Sequence, residues 1–229
     1  MQDFRLAIRS LRATPVVTSV AILSLALGIG ANIAIFSIVN SLLLRSLPVR
    51  DPQSLVLITD SGTGRRGWSY QVWTEIRRRP ELFDGMLAFT PFGEPMPVAM
   101  KGDTARATVA WTSGSFFQTL GVRAWLGRTT SEDDDRTASG SVGPVAIVSY
   151  SFWQRQFGGT SDAIGRSLTV NGVPVTIVGV TPPDFFGTEV GRAVDVLLPI
   201  ADEPLVKGRD SGLQSGQMNF EVWGRLRPG

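Results

Sequence analysis

Cysteine and histidine are both missing from this 229-residue chain, and lysine occurs only at Lys101 and Lys207. Without a thiol or an imidazole there can be no Ser-His-Asp triad, no cysteine nucleophile, no disulfide framework and no Cys/His zinc site. A phosphate-binding loop of the G-x-x-x-x-G-K-[ST] kind needs Ser or Thr after its lysine. Both lysines here are followed by glycine, so these residues carry no such loop. What stays open is carboxylate, Ser/Lys or backbone chemistry, or a role without chemistry.

Charge of one sign is scarce in one region. Residues 1–50 hold Arg5, Arg9, Arg12, Arg45 and Arg50 against the single acid Asp3, whereas residues 51–229 hold 17 basic and 19 acidic residues. The sequence pI of about 9.5 therefore reflects the first fifty residues. Nucleic-acid binding would need a basic stripe that releases counterions, and none appears after residue 50.

Between Ala13 and Leu44 there is no Asp, Glu, Lys or Arg. A bilayer core of about 30 Å needs about 20 helical residues, so the run is long enough to span it with residues to spare. A buried soluble helix seldom stays uncharged for so long. A cleavable signal has an apolar stretch of only about 7–15 residues, and here the apolar pattern restarts after Gly28-Ile29-Gly30-Ala31. The reading is an uncleaved transmembrane helix over 15–47 with an extension beyond the bilayer, ended by Pro48. The arginine cluster before it places the N-terminus in the cytoplasm and residues 51–229 outside.

Before that helix, Phe4, Ile8 and Leu11 recur at helical spacing beside Arg5, Arg9 and Arg12. Adjacent apolar and cationic stripes of this kind suit an amphipathic interfacial segment over 1–14 in contact with membrane lipid. Within the span, Ala26, Gly30 and Ala34 share one face, and Gly28 and Asn32 lie on the next. Small residues let a second helix approach closely, and Asn can hydrogen-bond across the contact. Gly28-Ile29-Gly30 lacks the third glycine and the preceding strand of a dinucleotide fingerprint.

The remainder predicts a mixed α+β fold with many β-hairpins and no regular βαβ alternation. Strands are expected at 55–59, 86–90, 98–100, 105–111, 144–148, 168–171, 173–180, 194–199 and 220–226, and a tight turn at Asn171-Gly172. Helices are expected at Ser69–Arg79, capped by Ser69 and closed by Arg77-Arg78-Arg79, at Ser113–Gly121 as a short helix capped at its serine end and ended by Gly121, and at Tyr150–Phe157 with Phe152, Trp153 and Phe157 as anchors. Glu132-Asp133-Asp134-Asp135 lacks the alternation and glycine of a calcium loop and reads as a solvated loop. No residue qualifies as catalytic, cofactor-binding or metal-ligating.

Several segments together resemble the MacB-like, FtsX-superfamily ABC-transporter permeases, in particular the large permeases without their own ATPase. They are LALGIGANIAIFSIVNSLLLRSLPVRDP (25–52), WSYQVWTEIR (68–77), TSGSFFQTLGVRAWLGR (112–128), VAIVSYSFWQRQFGG (145–159), IGRSLTVNGVPVTIVGVTPPDFFG (164–187) and VLLPI (196–200). The resemblance implies a bacterial inner-membrane permease subunit whose periplasmic core domain has a porter-like part at 51–120 and an inserted, mainly β part at 121–229, the latter truncated. It further implies an ABC ATPase subunit as partner, with ATP bound there and no cofactor in this chain. The remaining permease helices or a second permease copy, and a periplasmic adaptor, are the other implied partners. Such a chain would serve efflux or mechanotransmission. Two other readings of the residues stay open: a single-span anchored binding or sensor domain, and an anchored hydrolase using Ser/Lys or paired carboxylates.

Overall fold

The computed structural model describes residues 15–43, 49–79, 81, 83–100, 102–136, 143–189 and 192–227, with 38–43 described by backbone alone. These fall into two compact units, Met1–Ser46 and Leu47–Gly229.

In the first unit, helix α1 runs Pro15–Leu43. Pro15 occupies its first position, where the missing N–H would be unpaired anyway and φ is preset. Over Pro15–Ser37 the mean hydropathy reaches 2.1 with none of the most apolar window buried. A helix apolar on every face and uncovered by protein needs an apolar surrounding. Those 23 residues, at about 1.5 Å each, exceed the hydrocarbon thickness of about 30 Å. By length and composition α1 is able to cross a membrane. The interfacial reading of Phe4, Arg5, Ile8, Arg9, Leu11 and Arg12, and the stop at Pro48, lie outside the described residues.

The second unit carries strands β1 (Leu55–Leu57), β2 (Gly67–Trp68), β3 (Phe83–Phe89), β4 (Glu94–Met100), β5 (Asp103–Thr112), β6 (Leu126–Gly127), β7 (Val145–Val148), β8 (Ser167–Val170), β9 (Val173–Val180), β10 (Val196–Pro199) and β11 (Phe220–Leu226). Its helices are α2 (Tyr70–Ile76), α3 (Phe116–Leu120), α4 (Tyr150–Phe157), α5 (Glu203–Lys207) and α6 (Gly212–Ser215), with short 3-10 turns between. The mixed α+β expectation stands. Sequence alternation does not reveal the closure: β5, β10, β7, β9, β8 and β4 pair in that order, and β4 pairs β5 again. Six strands thus form a hydrogen-bonded ring. From β5 a second arm leaves through β3, β11 and β1, with β2 also on β11.

Period-2 side chains fill the ring. Val98, Ala107, Val109, Trp111, Ala146, Val148, Val170, Val175, Ile177, Val196 and Leu198 belong to one buried cluster, each strand contributing alternate residues as a pleated wall requires. The same cluster continues through Trp73 of α2 and Phe220 and Val222 of β11. A second cluster gathers Leu87, Phe89, Ile147 and Leu197 under Phe116, Phe117 and Leu120 of α3. Strands of 51–120 and of 121–229 share the one sheet.

Three local differences from the sequence reading have physical causes. β4 begins at Glu94 rather than Val98, although Pro95 and Pro97 lie in it. Residues two apart aim their N–H groups to one side, so both prolines strip the same edge, and up to Met96 the strand pairs with β5 alone; the Pro97 carbonyl accepts from Asn171 N–H, and β8 joins at Val98 and Ala99. Proline survives on such a one-sided strand. α2 stops at Ile76 and makes Arg77 its C-cap, releasing that side chain for a distant partner. At α3 the serines are not capping: Ser115 makes no cap bond, and instead its hydroxyl donates to the Met86 carbonyl at 2.7 Å while Ser113 Oγ accepts from the Ala88 N–H at 3.0 Å. The hairpin at Asn171-Gly172 forms as expected, with φ of 49° and 85°, the two left-handed values a primed turn needs.

β9 carries a bulge where its register against β7 shifts, Ala146 facing Ile177 but Ile147 facing Gly179. A Cβ on Gly179 would fall 2.0 Å from the Arg128 carbonyl oxygen. Gly179→Ala should therefore destabilise the unit by about 2 kcal/mol or more. Gly62→Ala, whose Cβ would meet only the Asp60 carboxylate at 3.4 Å, should stay within about 0.5 kcal/mol. Urea unfolding monitored by tryptophan fluorescence compares the two.

Candidate functional site

The chain passes from α1 into the second unit through residues 49–54, and that segment is held by one buried arginine. Arg225, on β11, is only 4% exposed. Its Nε donates to the Thr119 carbonyl at 2.9 Å, Nη2 to the Arg50 carbonyl at 2.6 Å, and Nη1 to the Asp51 carbonyl at 3.0 Å and to Ser54 Oγ. The planar fork of the guanidinium suits this: several fixed donors reach acceptors on two segments, 50–54 and Thr119, at once. Burial lowers its pKa from the ordinary guanidinium value, Arg50 adds to that effect, and Asp51 and Asp84 oppose it. Arginine nonetheless stays charged. The charge is thus solvated by oriented carbonyl dipoles.

The segment it grips is built to present those carbonyls. Asp51 takes a left-handed φ of 40° and Pro52 opens a 3-10 turn to Ser54, whose hydroxyl donates back to the Asp51 carbonyl at 2.9 Å. Arg50 N–H donates to the Leu120 carbonyl at 2.9 Å. Gly121, at φ 72°, ends α3 and leaves room for Arg50, whose Cβ would sit 2.5 Å from any Cβ added there. In register, Leu55 of β1 faces Arg225 of β11 across an antiparallel pair. β1 and β11 therefore run side by side, with Leu55 and Arg225 at the same end of the pair.

A polar cleft of about 530 Å³ joins this junction to a second cluster, with Arg50, Asp84, Gln118 and Arg225 on one side and Arg77 and Glu132 on the other. Here the reading of Glu132–Asp135 as a solvated loop is corrected. Asp135 is 5% exposed and accepts from Gly114 N–H at 3.2 Å and Ala201 N–H at 3.0 Å. Arg77 Nη2 donates to Glu132 at 3.1 Å and its Nη1 lies 3.9 Å from Asp135, with the guanidinium 5.8 Å over the Trp73 ring. Asp134 holds Arg128 through two contacts of 2.7 and 2.8 Å and accepts from Ser131 N–H. The loop is a folded clasp between α2, α3 and the turn at 200–202. Of the three arginines expected at the end of α2, Arg77 reaches this clasp and Arg78 makes an exposed pair with Glu75.

Burial pushes the Asp135 carboxyl up to about 6, against the lowering pull of its two N–H donors and Arg77. Asp202, 2% exposed with Oδ1 unpartnered, is raised to about 7 by burial first, then by the charges of Asp135 and Asp134. Among the described residues no group of three or more carboxylates forms a metal site. Lys207 Nζ is paired with Glu94 at 2.6 Å, which ties up one of the two lysines of the Ser/Lys hydrolase reading; Lys101 lies outside the described residues.

The sequence-derived packing residues Ala26, Gly28, Gly30, Asn32 and Ala34 are all exposed on α1, and a Cβ added at Gly28 or Gly30 would meet nothing within 4 Å. The described structure brings none of them to another element. Arg225 was invisible to the sequence reading because the strand Phe220–Leu226 alternates like any half-buried edge; the one available signal was a lone arginine beside Gly224 in an apolar run.

Two outcomes are expected. Arg225→Ala removes the donors from four acceptors, of which the Asp51 carbonyl and the Ser54 hydroxyl keep their bond to each other, and should cost about 3 kcal/mol, while Arg225→Lys, with fewer donors and no fork, should recover only part of it; equilibrium unfolding reads both. For Asp202 the raised pKa means the folded state keeps a proton that the unfolded state releases, so its penalty is absent near pH 4 and grows as pH rises through about 7. Asp202→Asn should match the parent near about pH 4 and be more stable by a few kcal/mol near about pH 8, in melting curves taken across that range.

The comparisons with known proteins agree with this architecture. The probable syringafactin export ATP-binding/permease protein SyfD of Pseudomonas syringae pv. syringae (strain B728a) is 30% identical over 89 residues, 39% of this chain but 13% of that protein, so the chain spans a small part of that relative's length. Among solved structures, the periplasmic region of MacB from Actinobacillus actinomycetemcomitans aligns with a TM-score of 0.54 at 13% identity, covering 75% of this chain and 73% of that one. The extracellular domain of the noncanonic ABC-type transporter YknZ from Gram-positive bacteria gives a TM-score of 0.52 at 13% identity, covering 76% and 83%. At such identities the likeness is one of fold. The MacB-like periplasmic core domain family matches residues 18–229, and the chain belongs to that family of ABC-transporter permease domains.

Proposed function

We propose that this chain is the N-terminal part of a permease subunit in an ABC-type efflux or mechanotransmission system, in which ATP hydrolysis on a separate subunit is converted into movement of residues 51–229 outside the cytoplasm. The observation that carries the reading is the Arg225 junction. A domain that converts helix movement into work needs its points of attachment coupled to one another, because flexible tethers would dissipate displacement. Here the segment arriving from α1 and the last strand are tied by one guanidinium and adjacent in register. Helix displacement would then turn the unit as a body.

Within this proposal the arginine-rich flank of α1 lies in the cytoplasm of a bacterial inner membrane. The face of Ala26, Gly30 and Ala34, with Gly28 and Asn32 beside it, receives the remaining permease helices or a second permease copy. The interfacial segment 1–14 rests on lipid, and a periplasmic adaptor meets the far side of the domain. The two-part division at 120/121 belongs to the same proposal, with β11 returning to β1 and β3.

Reconstitution tests it. The full permease gene and its neighbouring ATPase gene are expressed together and placed in proteoliposomes. Arg225→Ala should lower the permease-dependent part of ATP turnover about tenfold while the ATPase alone is unchanged; turnover equal to the parent would sink the coupling claim. Since residues 1–229 contain no cysteine, Arg123→Cys in a full permease with any further cysteines replaced gives a defined label site. A membrane-impermeant maleimide should modify it from outside intact spheroplasts, and modification only after lysis would overturn the orientation.

A further inference from the structure

Residues 131–135 belong to no strand, and their backbone bonds among the described residues are two turns of their own, Asp134 N–H to the Ser131 carbonyl and Asp135 N–H to the Glu132 carbonyl. Side chains therefore hold this loop to the rest of the unit. Arg128 grips Asp134, Arg77 reaches Glu132 and more loosely Asp135, and Asp135 binds Gly114 N–H before α3 and Ala201 N–H in the turn after β10. The fit is close, since a Cβ on Gly114 would lie 2.2 Å from the Ser131 carbonyl oxygen. Next to Ala201 in the chain stands Asp202, 2% exposed and with Oδ1 unpartnered. Four carboxylates, Glu132, Asp134, Asp135 and Asp202, thus meet two guanidiniums, and both guanidiniums are committed to the first three.

The other ionisable groups around the clasp leave Asp202 uncompensated. Tyr70 of α2 feels Asp135 and Arg77. Glu203, buried at the start of α5, is bonded to Ser211 and Gly212, and Lys207 is paired with Glu94 and lies 3.9 Å from Glu203. Arg136 pairs with the exposed Asp133, and residues 137–142 contain no ionisable side chain. From β7 Asp202 receives the pull of the Val145 N–H. A buried carboxylate with no cation and one bare oxygen is far costlier ionised than neutral, so it takes a proton from solvent. We propose that Asp202 and Asp135 form a proton-operated latch: with a proton on Asp202 the loop 131–135 stays closed on α3 and on the turn at 200–202, and loss of that proton opens it. Ionised, Asp202 repels Asp135 where little water screens the pair, and because Ala201 moves with Asp202, the bond from Ala201 N–H to Asp135 yields first. Arg77 and Glu132 also line the polar cleft, so the state of the latch reaches the wall of that cleft. The raised values of about 7 for Asp202 and about 6 for Asp135 exceed those of the opened, solvated groups; the closed form is favoured at low pH and weakens as pH rises through about 7. The latch needs neither transport nor the Arg225 coupling, since it rests on the clasp's own groups.

Amide hydrogen exchange of the full permease in detergent micelles tests this, read by mass spectrometry at single-amide resolution and corrected for the intrinsic pH dependence of exchange. Ala201 N–H should exchange faster than Ile177 N–H of β9, which donates to the Arg166 carbonyl, because a local opening needs less free energy than unfolding the ring. Protection at Ala201 should fall about tenfold between about pH 6 and about pH 8, the change expected of a carboxyl that titrates near 7 when closed and near its ordinary value when open. Gly114 N–H, the other donor to Asp135, should fall with it. Asp202→Asn should keep protection at Ala201 high and flat over that range. Asp135→Asn, which removes the neighbouring charge and keeps an acceptor for both amides, should move the fall to lower pH. Equal protection at Ala201 and Ile177 would mean that the clasp opens only when the whole unit unfolds, and would overturn the latch. A flat profile in the parent, a fall of the same size in Asp202→Asn, or an unshifted fall in Asp135→Asn would each overturn it as well.

Discussion

A positive charge without a paired carboxylate among the described residues sits where residues 50–54 meet β11. Taking a guanidinium out of water is costly unless each N–H finds an acceptor, and around Arg225 the acceptors are backbone carbonyls of Arg50, Asp51 and Thr119 and the hydroxyl of Ser54. That requirement shapes its surroundings. Asp51 is held left-handed, Pro52 starts a turn, and Gly121 clears space for Arg50. Each concession would be hard to explain alone; all follow from keeping three carbonyls aimed at one side chain. An ion pair could have neutralised the charge, but a carboxylate joins only one residue to it, whereas the carbonyls knit together three segments far apart in sequence.

The two clusters at opposite sides of the polar cleft work on different principles. The junction is cationic and satisfied by dipoles. The clasp at Glu132–Asp135 is anionic, satisfied in part by Arg77, Gly114 and Ala201, and leaves one oxygen of Asp202 without a partner. Asp135 and Asp202 titrate near neutrality because each is buried and each raises or is raised by neighbouring carboxylates. The domain therefore retains protons that the unfolded chain would give up, and the α3 region between the clusters rests on a fully paired charge at one end and a partly paired one at the other.

Much of the secondary structure could be read from residues. The turn at Asn171-Gly172, the helix Tyr150–Phe157 and the strand Phe220–Leu226 carry strong local signals: paired left-handed residues, a serine cap with aromatic anchors, and plain alternation. The span Pro15–Leu43 was equally plain, since an uncharged run of that length has few alternatives. What escaped was non-local. Closure of the ring depends on β4 meeting β8 as well as β5, a pairing between segments some seventy residues apart, and two prolines masked the start of β4. The burial of Arg225 and Asp135 escaped because a charged residue in a strand or loop is ordinarily solvated, and only the fold shows which carbonyls and amides converge on it.

The prolines of β4 carry one more implication. An outer rim of free N–H and C=O groups invites strands from other molecules, and crowded secreted and surface proteins must blunt such rims. Between Glu94 and Met96 the wall of the ring pairs with β5 alone, before Asn171 N–H reaches the Pro97 carbonyl, and Pro95 leaves that rim without the donor a foreign strand would need. The stretch most open to misplaced pairing is in this way rendered mute, and the ring can sit next to other chains without zipping onto them.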